Sequence, residues 1–202
     1  MKKVLIATKN AGKVADFRAI FKEYQVEVLS LLDLEDPVDD IEETGESFSE
    51  NAVLKAETIA NQMDLPVLAD DSGLSIDYLG GRPGVYSARY AGMDKDDEAN
   101  NQKVLAELSG VAKEERTAAF ICALAFAVPG EETIVKEGVC RGLIAFEPIG
   151  EHGFGYDPIF IPEGYSQTMA QLTLEEKNEI SHRGQALKKL ADWLESEGKV
   201  GF

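Results

Sequence analysis

The sequence predicts an α/β fold, on three observations. Short apolar, β-branched runs alternate with segments whose apolar residues recur at helical spacing. Capping boxes and Gly/Pro clusters punctuate the alternation. Hydrophobic residues make up 44% and charged residues 28% of the 202, the balance of a globular rather than a disordered chain. That length suits one compact domain or two lobes sharing a sheet, and residues 1–202 are taken as a single domain.

Lys3 to Thr8 has the composition of a buried strand. Asn10, Ala11 and Gly12 interrupt it, and Val14, Phe17, Ile20 and Phe21 follow at helical spacing. Val26 to Leu29 resumes as a strand, so the chain opens as strand, tight turn, helix, strand. Asp33 to Glu46 is acidic and irregular, with Pro37 and Gly45 as breaks. Ser47 and Glu50 form a capping box; the helix they open carries Phe48, Ala52, Val53, Ala56, Ile59, Ala60 and Met63 on one side. Beyond Pro66, Val67 to Ala69 reads as a buried strand running into Asp70-Asp71-Ser72-Gly73, and Leu74 to Leu79 as a further strand. Gly80 to Gly84 is loop, and Asp96 to Leu108 is helix. Thr117 to Val128 and Thr133 to Phe146, separated by Pro129-Gly130-Glu131, predict a hairpin. After a glycine-rich loop from Gly150 to Pro158, Thr173 and Glu176 cap a short helix containing Lys177. The last helix places Leu187, Leu190, Ala191 and Leu194 on one face.

The formal net charge of -17 leaves no basic face for nucleic acid, which is a dense polyanion. A small anion remains accessible where a few cations, backbone amides and a metal gather. The longest apolar stretch, around Ala118 to Pro129, is too short to cross a bilayer, and no signal segment follows Met1. A cytoplasmic chain with no membrane partner is expected. Cys122 and Cys140 lie in strand-like sequence as buried thiols, without zinc spacing.

Three clusters carry chemistry. Thr8-Lys9-Asn10-Ala11-Gly12-Lys13 lies at a helix N-terminus, where unpaired amides favour an anion and Lys13 adds charge. The same residues also fit an Asn10 cap beside a solvated lysine. Asp70 and Asp71 end an apolar strand, where adjacent side chains point to opposite faces and take different jobs. An Asx-turn into Ser72-Gly73 is the plainer alternative. Mg²⁺ needs only one or two carboxylates beside waters and phosphates, so Asp71 with Glu42 or Glu43 suffices. In the last third, Phe154-Gly155-Tyr156-Asp157 and Ser181-His182-Arg183 offer rings for stacking and polar groups for reading a base edge.

Together these clusters resemble the inosine triphosphate pyrophosphatase family, whose members act on purine nucleoside triphosphates with non-standard bases. The resemblance rests on Thr8 to Lys13, Glu43-Thr44-Gly45 with Phe48 and Glu50-Asn51-Ala52, and Ala69 to Gly73. It continues through Pro83-Gly84, Tyr86 to Arg89, Phe154 to Pro158, Leu172-Thr173, Glu176-Lys177 and Ser181 to Gly184. These segments span nearly the whole chain in the family's order and spacing. Lys9 stands where bacterial members often have glycine.

The resemblance implies an elongated two-lobed α/β fold, with a central mixed β-sheet flanked by helices and a substrate cleft between the lobes. It implies a homodimer that hydrolyses ITP, dITP and XTP to the monophosphate and pyrophosphate, clearing deaminated purines with Mg²⁺ as cofactor. Thr8 to Lys13 would hold the triphosphate, with Ser72 touching substrate. Asp71 would be general base and, with Glu43 or Glu42, metal ligand, and Lys13 would assist catalysis. Phe154, Gly155, Tyr156, Asp157, Lys177, His182 and Arg183 would surround the base. Two rivals keep part of this pattern. A nucleotide-binding regulator would not need both acidic clusters, and a pyrimidine triphosphate hydrolase would not need the base-reading set.

Overall fold

The computed structural model describes residues 2–36, 38–39 and 41–196, so Pro37 lies outside the described residues. The elements are β1 (Lys2–Ile6), α1 (Ala11–Glu23), β2 (Val26–Ser30), α2 (Phe48–Met63) and β3 (Val67–Ile76). They continue with α3 (Asp97–Glu107), β4 (Thr117–Ala127), β5 (Ile134–Ile144), β6 (Phe160–Pro162), α4 (Leu174–Ile180) and α5 (His182–Ser196). The six strands form one sheet in the order β2-β1-β3-β4-β5-β6.

The sheet is mixed, as expected. β1 pairs in parallel with β2, Lys2 opposite Val26 through Ile6 opposite Ser30, and with β3, Leu5 opposite Val67. β6 runs antiparallel to β5, Gly142 opposite Pro162. The segment 128–133 joining the neighbours β4 and β5 is too short for a parallel crossover, so they form the predicted hairpin.

One expectation is corrected. Asp70 to Gly73 is no turn between two strands: β3 runs unbroken from Val67 to Ile76, and the following residues Asp77–Leu79 form a 3₁₀ turn. Asp, Ser and Gly are poor strand formers, which is why the sequence reads as a break there. Here the aspartate side chains bond to lysines and an arginine brought from elsewhere in the chain, and the strand continues through them.

Tertiary contacts gather the described chain into two compact units. The first holds the residues up to Asp71, then Cys122–Gly138, and those from Arg183 onward. Its strands are covered on both faces, and alternation sorts their side chains. Val4, Ile6, Leu68, Cys122 and Leu124 pack on Phe17, Ile20 and Phe21 of α1 and on Leu187 and Leu190 of α5. The intervening Leu5, Ala7, Val67, Ala69, Ala123 and Ala125 pack on Ala52, Ala56, Ile59 and Ala60 of α2. Alanines on both sides of that second contact let α2 lie close to the sheet.

The second unit holds Ser72–Ile121 and Val139–His182. Its core joins Leu74, Ile76, Val104, Leu108, Phe120, Ile144, Tyr156, Ile159 and Phe160. Arg116 is buried here, and its guanidinium donates to the carbonyls of Leu108, Ile144 and Ala145 at 2.8, 2.9 and 2.7 Å. Cys122 and Cys140 are buried free thiols, as expected. Among the described residues no helix is long and apolar enough to cross a membrane.

Candidate active site

Alternation along β3 builds the first half of the site. Asp70 shares the face of Leu68, towards α1 and α5, and Asp71 shares the face of Ala69, towards α2. The two carboxylates therefore meet different cations. Asp70 Oδ2 lies 3.1 Å from Lys13 Nζ and 3.2 Å from Arg183 Nε, while Arg183 Nη1 donates to Asp16 Oδ2 at 3.0 Å. Asp71 Oδ1 accepts from Lys55 Nζ at 3.0 Å, and Lys55 also donates to Glu43 Oε1 at 2.9 Å.

Charge and burial pull against each other in this cluster. Burial alone would raise the pKa of Asp70; the cations Lys13, Arg183 and Lys55 outweigh it and hold the carboxyl far below the usual range. Burial lowers Lys13 despite the pull of Asp70. Asp71 moves the other way, raised chiefly by burial and further by Glu43, against the opposing pull of Lys55 and Lys13. Lys55 is raised because Asp71, Asp70 and Glu43 together overcome its burial.

The segment before α2 is fastened so that Glu43 reaches this cluster. Gly45 N–H donates to Asn51 Oδ1 at 2.7 Å, and a Cβ on Gly45 would stand 2.7 Å from that same oxygen. The capping box of Ser47 and Glu50 adds Glu46 N–H donating to Glu50 Oε2 at 2.7 Å. Asn51 Nδ2 reaches Asp71 Oδ2 at 3.4 Å. Glu42, by contrast, is exposed.

At the start of α1 the cap and the charged site coexist. Asn10 Oδ1 accepts from Lys13 N–H at 3.0 Å, and Thr8 Oγ1 accepts from Asn10 N–H at 3.2 Å. The first-turn amides of Ala11 and Gly12 have no carbonyl a turn earlier in the helix to accept them. Lys13 is not solvated: its side chain is 15% exposed and turned onto Asp70. Lys9, Asn10 and Ala11 are exposed, and Ser72 is half-buried in β3.

Mg²⁺ is the cofactor implied, and the residues fit it. A cation, the Lys55 ammonium, already stands where Glu43 and Asp71 converge. Among the described residues no group of three His, Cys, Asp or Glu side chains gathers to enclose a metal. Mg²⁺ keeps waters and phosphate oxygens beside one or two carboxylates, so an open pair suits it better than a closed cage.

The second unit holds the other set. Lys177 Nζ lies 2.8 Å from Asp157 Oδ2, both nearly fully buried, and 4.8 Å from the centre of the Phe154 ring. Asp157 Oδ2 also accepts from Phe154 N–H at 3.0 Å. Gly153, at φ +80°, is required beside it, since a Cβ there would lie 2.0 Å from that carboxylate oxygen. Tyr156 is buried and donates through its hydroxyl to the Ser87 carbonyl at 2.8 Å. His182 is buried and stacks on Phe120, centroids 5.0 Å apart at 16°.

The structure thus brings Lys13, Glu43, Asp71 and Arg183 together in the first unit, and Phe154, Asp157, Lys177, with Tyr156 and His182, into the second. Arg183 is seated on Asp70 and Asp16, beside the lysine of the phosphate set. Lys55 and Asp16 are the residues the sequence reading missed. Their signal was faint: a lysine or aspartate on an amphipathic helix reads as solvated face.

Fold and site together define an α/β protein with a buried lysine–carboxylate centre beside a helix N-terminus. The chain belongs to the Ham1 family, whose sequence model matches residues 4–193. A protein named dITP/XTP pyrophosphatase from Bacillus subtilis (strain 168) is 58% identical over 97% of this chain and 98% of its own. One of the same name from Geobacillus kaustophilus is 57% identical over 100% of this chain and 98% of its own. The solved Staphylococcus aureus Ham1 protein superposes with a TM-score of 0.84 at 46% identity, covering 97% of this chain and 100% of that one. The resemblance read from the motifs is borne out.

Proposed function

We propose that the protein is a Mg²⁺-dependent pyrophosphatase of ITP, dITP and XTP, releasing the nucleoside monophosphate and pyrophosphate. The observation that carries this reading is the pair of carboxylates, Glu43 and Asp71, converging on the Lys55 ammonium near Lys13 and the α1 N-terminus. The relatives named dITP/XTP pyrophosphatase support the choice of substrate.

In this reading water attacks the α-phosphorus, the bond to the bridging oxygen breaks, and pyrophosphate leaves. Asp71 orients the water and accepts its proton, the role a positioned carboxylate can play. Glu43 and Asp71 hold the metal, which when bound neutralises charge on the triphosphate oxygens. Lys13, with the amides of Ala11 and Gly12 and the side chains of Thr8, Lys9 and Asn10, takes the charge developing on the pyrophosphate. Asp70 and Arg183 keep Lys13 in place.

The base is read by the second unit's residues. Phe154 offers a face for stacking, and Lys177 and His182 offer donors to the 6-oxo group of hypoxanthine or xanthine. An adenine amine there would leave a buried donor unpaired, at a cost of roughly 1–3 kcal/mol per group.

The test is to identify the phosphorus product from dITP with Mg²⁺ and after chelation, on enzyme sedimenting at twice the 22.0 kDa chain mass, as a cytoplasmic homodimer would. Pyrophosphate equimolar with dIMP, abolished by chelation and restored by Mg²⁺, is expected. Release of orthophosphate, or full turnover under chelation, would refute the reaction or its metal.

A further inference from the structure

Helix α3 holds the loop of the second set by both sides of one peptide residue. Asp97 Oδ2 accepts from the Gly155 N–H at 2.7 Å, and Asn101 Nδ2 donates to the Gly155 carbonyl at 2.9 Å. The two side chains are four residues apart, so they lie one above the other on the same helix face. Gly155 sits at φ +61°, where residues with a side chain rarely go, and Asn101 is only 5% exposed. Around Gly155, residues 150–156 form no helix or strand of their own. Backbone bonds hold the segment at His152, to the Ala170 carbonyl, and close Phe154 onto Asp157, while at Gly155 the two side chains from α3 fix the peptide next to Phe154.

We infer that Asp97 and Asn101 are positioning residues for base selection, holding Gly155 so that the Phe154 ring and Asp157 keep the geometry a purine requires. The inference rests on the base-reading role given above to Phe154, Asp157 and Lys177. Neither residue touches the reacting phosphorus in this account. Asp97 is exposed, so shortening it removes one hydrogen bond without opening the core. Misplacing the loop should weaken the complex with the favoured base and leave the phosphate chemistry alone, a separation that general loss of stability would not produce.

The experiment compares wild type with Asp97→Ala, Asp97→Asn and Glu98→Ala on dITP and dATP, together with hydrogen exchange at the Gly155 amide. For Asp97→Ala the expected results are a KM for dITP raised on the order of tenfold and a kcat close to wild type. The dITP:dATP preference narrows by a similar factor, and the Gly155 amide exchanges faster. Asp97→Asn keeps an oxygen acceptor and restores most of the effect. Glu98→Ala removes the neighbouring charge and changes nothing. Unchanged exchange in Asp97→Ala overturns the clamp whatever the substrate proves to be. An unchanged KM and preference, in an enzyme whose wild type does prefer dITP, overturns its role in selection. A wild type indifferent to the base would instead fault the proposed function, and the exchange measurement still decides the clamp.

Discussion

Asp71→Asn should lower kcat for dITP by about 10²–10⁴-fold while leaving a folded protein. The substitution keeps the volume of the side chain and an oxygen facing Lys55, so the contacts on the α2 side of β3 largely persist. In the proposed reaction it removes the proton acceptor and one of the two carboxylates that would hold the metal. Lys55 keeps Glu43 as a partner at 2.9 Å, which limits the loss of stability. Steady-state kinetics at saturating Mg²⁺, with circular dichroism as the fold control, measures the effect. Wild-type turnover in a folded Asp71→Asn variant would remove Asp71 from the chemistry.

Asp70→Asn is expected to act on stability instead, by roughly 3–5 kcal/mol near neutral pH. Its carboxylate is fully buried and meets two cations, Lys13 and Arg183. Arg183 retains Asp16, but Lys13 loses the anion beside it in a site where burial already penalises its charge. The pH dependence has a definite sign. The folded pKa of Asp70 lies below its unfolded value, so the unfolded state binds more protons across that interval and stability rises with pH there. The contribution is complete above the ordinary aspartate pKa, near 4, and is lost as pH falls through the depressed folded value. Urea unfolding of metal-free wild type and Asp70→Asn should therefore show a gap that is full at pH 7 and closes as the pH drops below about 4. A gap absent at pH 7, or widening in acid, would contradict the pairing seen in the structure.

These two aspartates also show what the sequence could and could not reveal. Their neighbour relation in a strand was enough to expect different jobs of them, because alternation sends adjacent side chains to opposite faces. It was not enough to place them inside the strand. Asp-Asp-Ser-Gly carries strong local turn chemistry, and remote groups, Lys13, Arg183 and Lys55 among them, settle the carboxylates into β3 instead. Lys13 itself supported two readings, cap and charged site. Both hold in part: Asn10 caps the helix through the Lys13 amide while the Lys13 side chain turns inward to Asp70.

Elements with strong local signals were legible. The capping boxes at Ser47 and Thr173 open α2 and α4 as their spacing predicts, and Asp96 caps α3. β6 was not legible, since three residues ending in proline carry no period and pair only with an edge already formed by β5. Lys55 was hidden for another reason. Its function as a bridge exists only once Glu43 and Asp71 stand on either side of it, a relation between residues far apart in sequence.

The central claim is that this protein inspects the purine at the 6-position before its phosphates are cut, and kcat/KM for dITP and dATP, measured side by side with Mg²⁺, tests it most directly. The account predicts a preference for dITP of about 10–10²-fold, since a buried donor at Lys177 or His182 goes unpaired against the adenine amine. Equal values for the two nucleotides would contradict it.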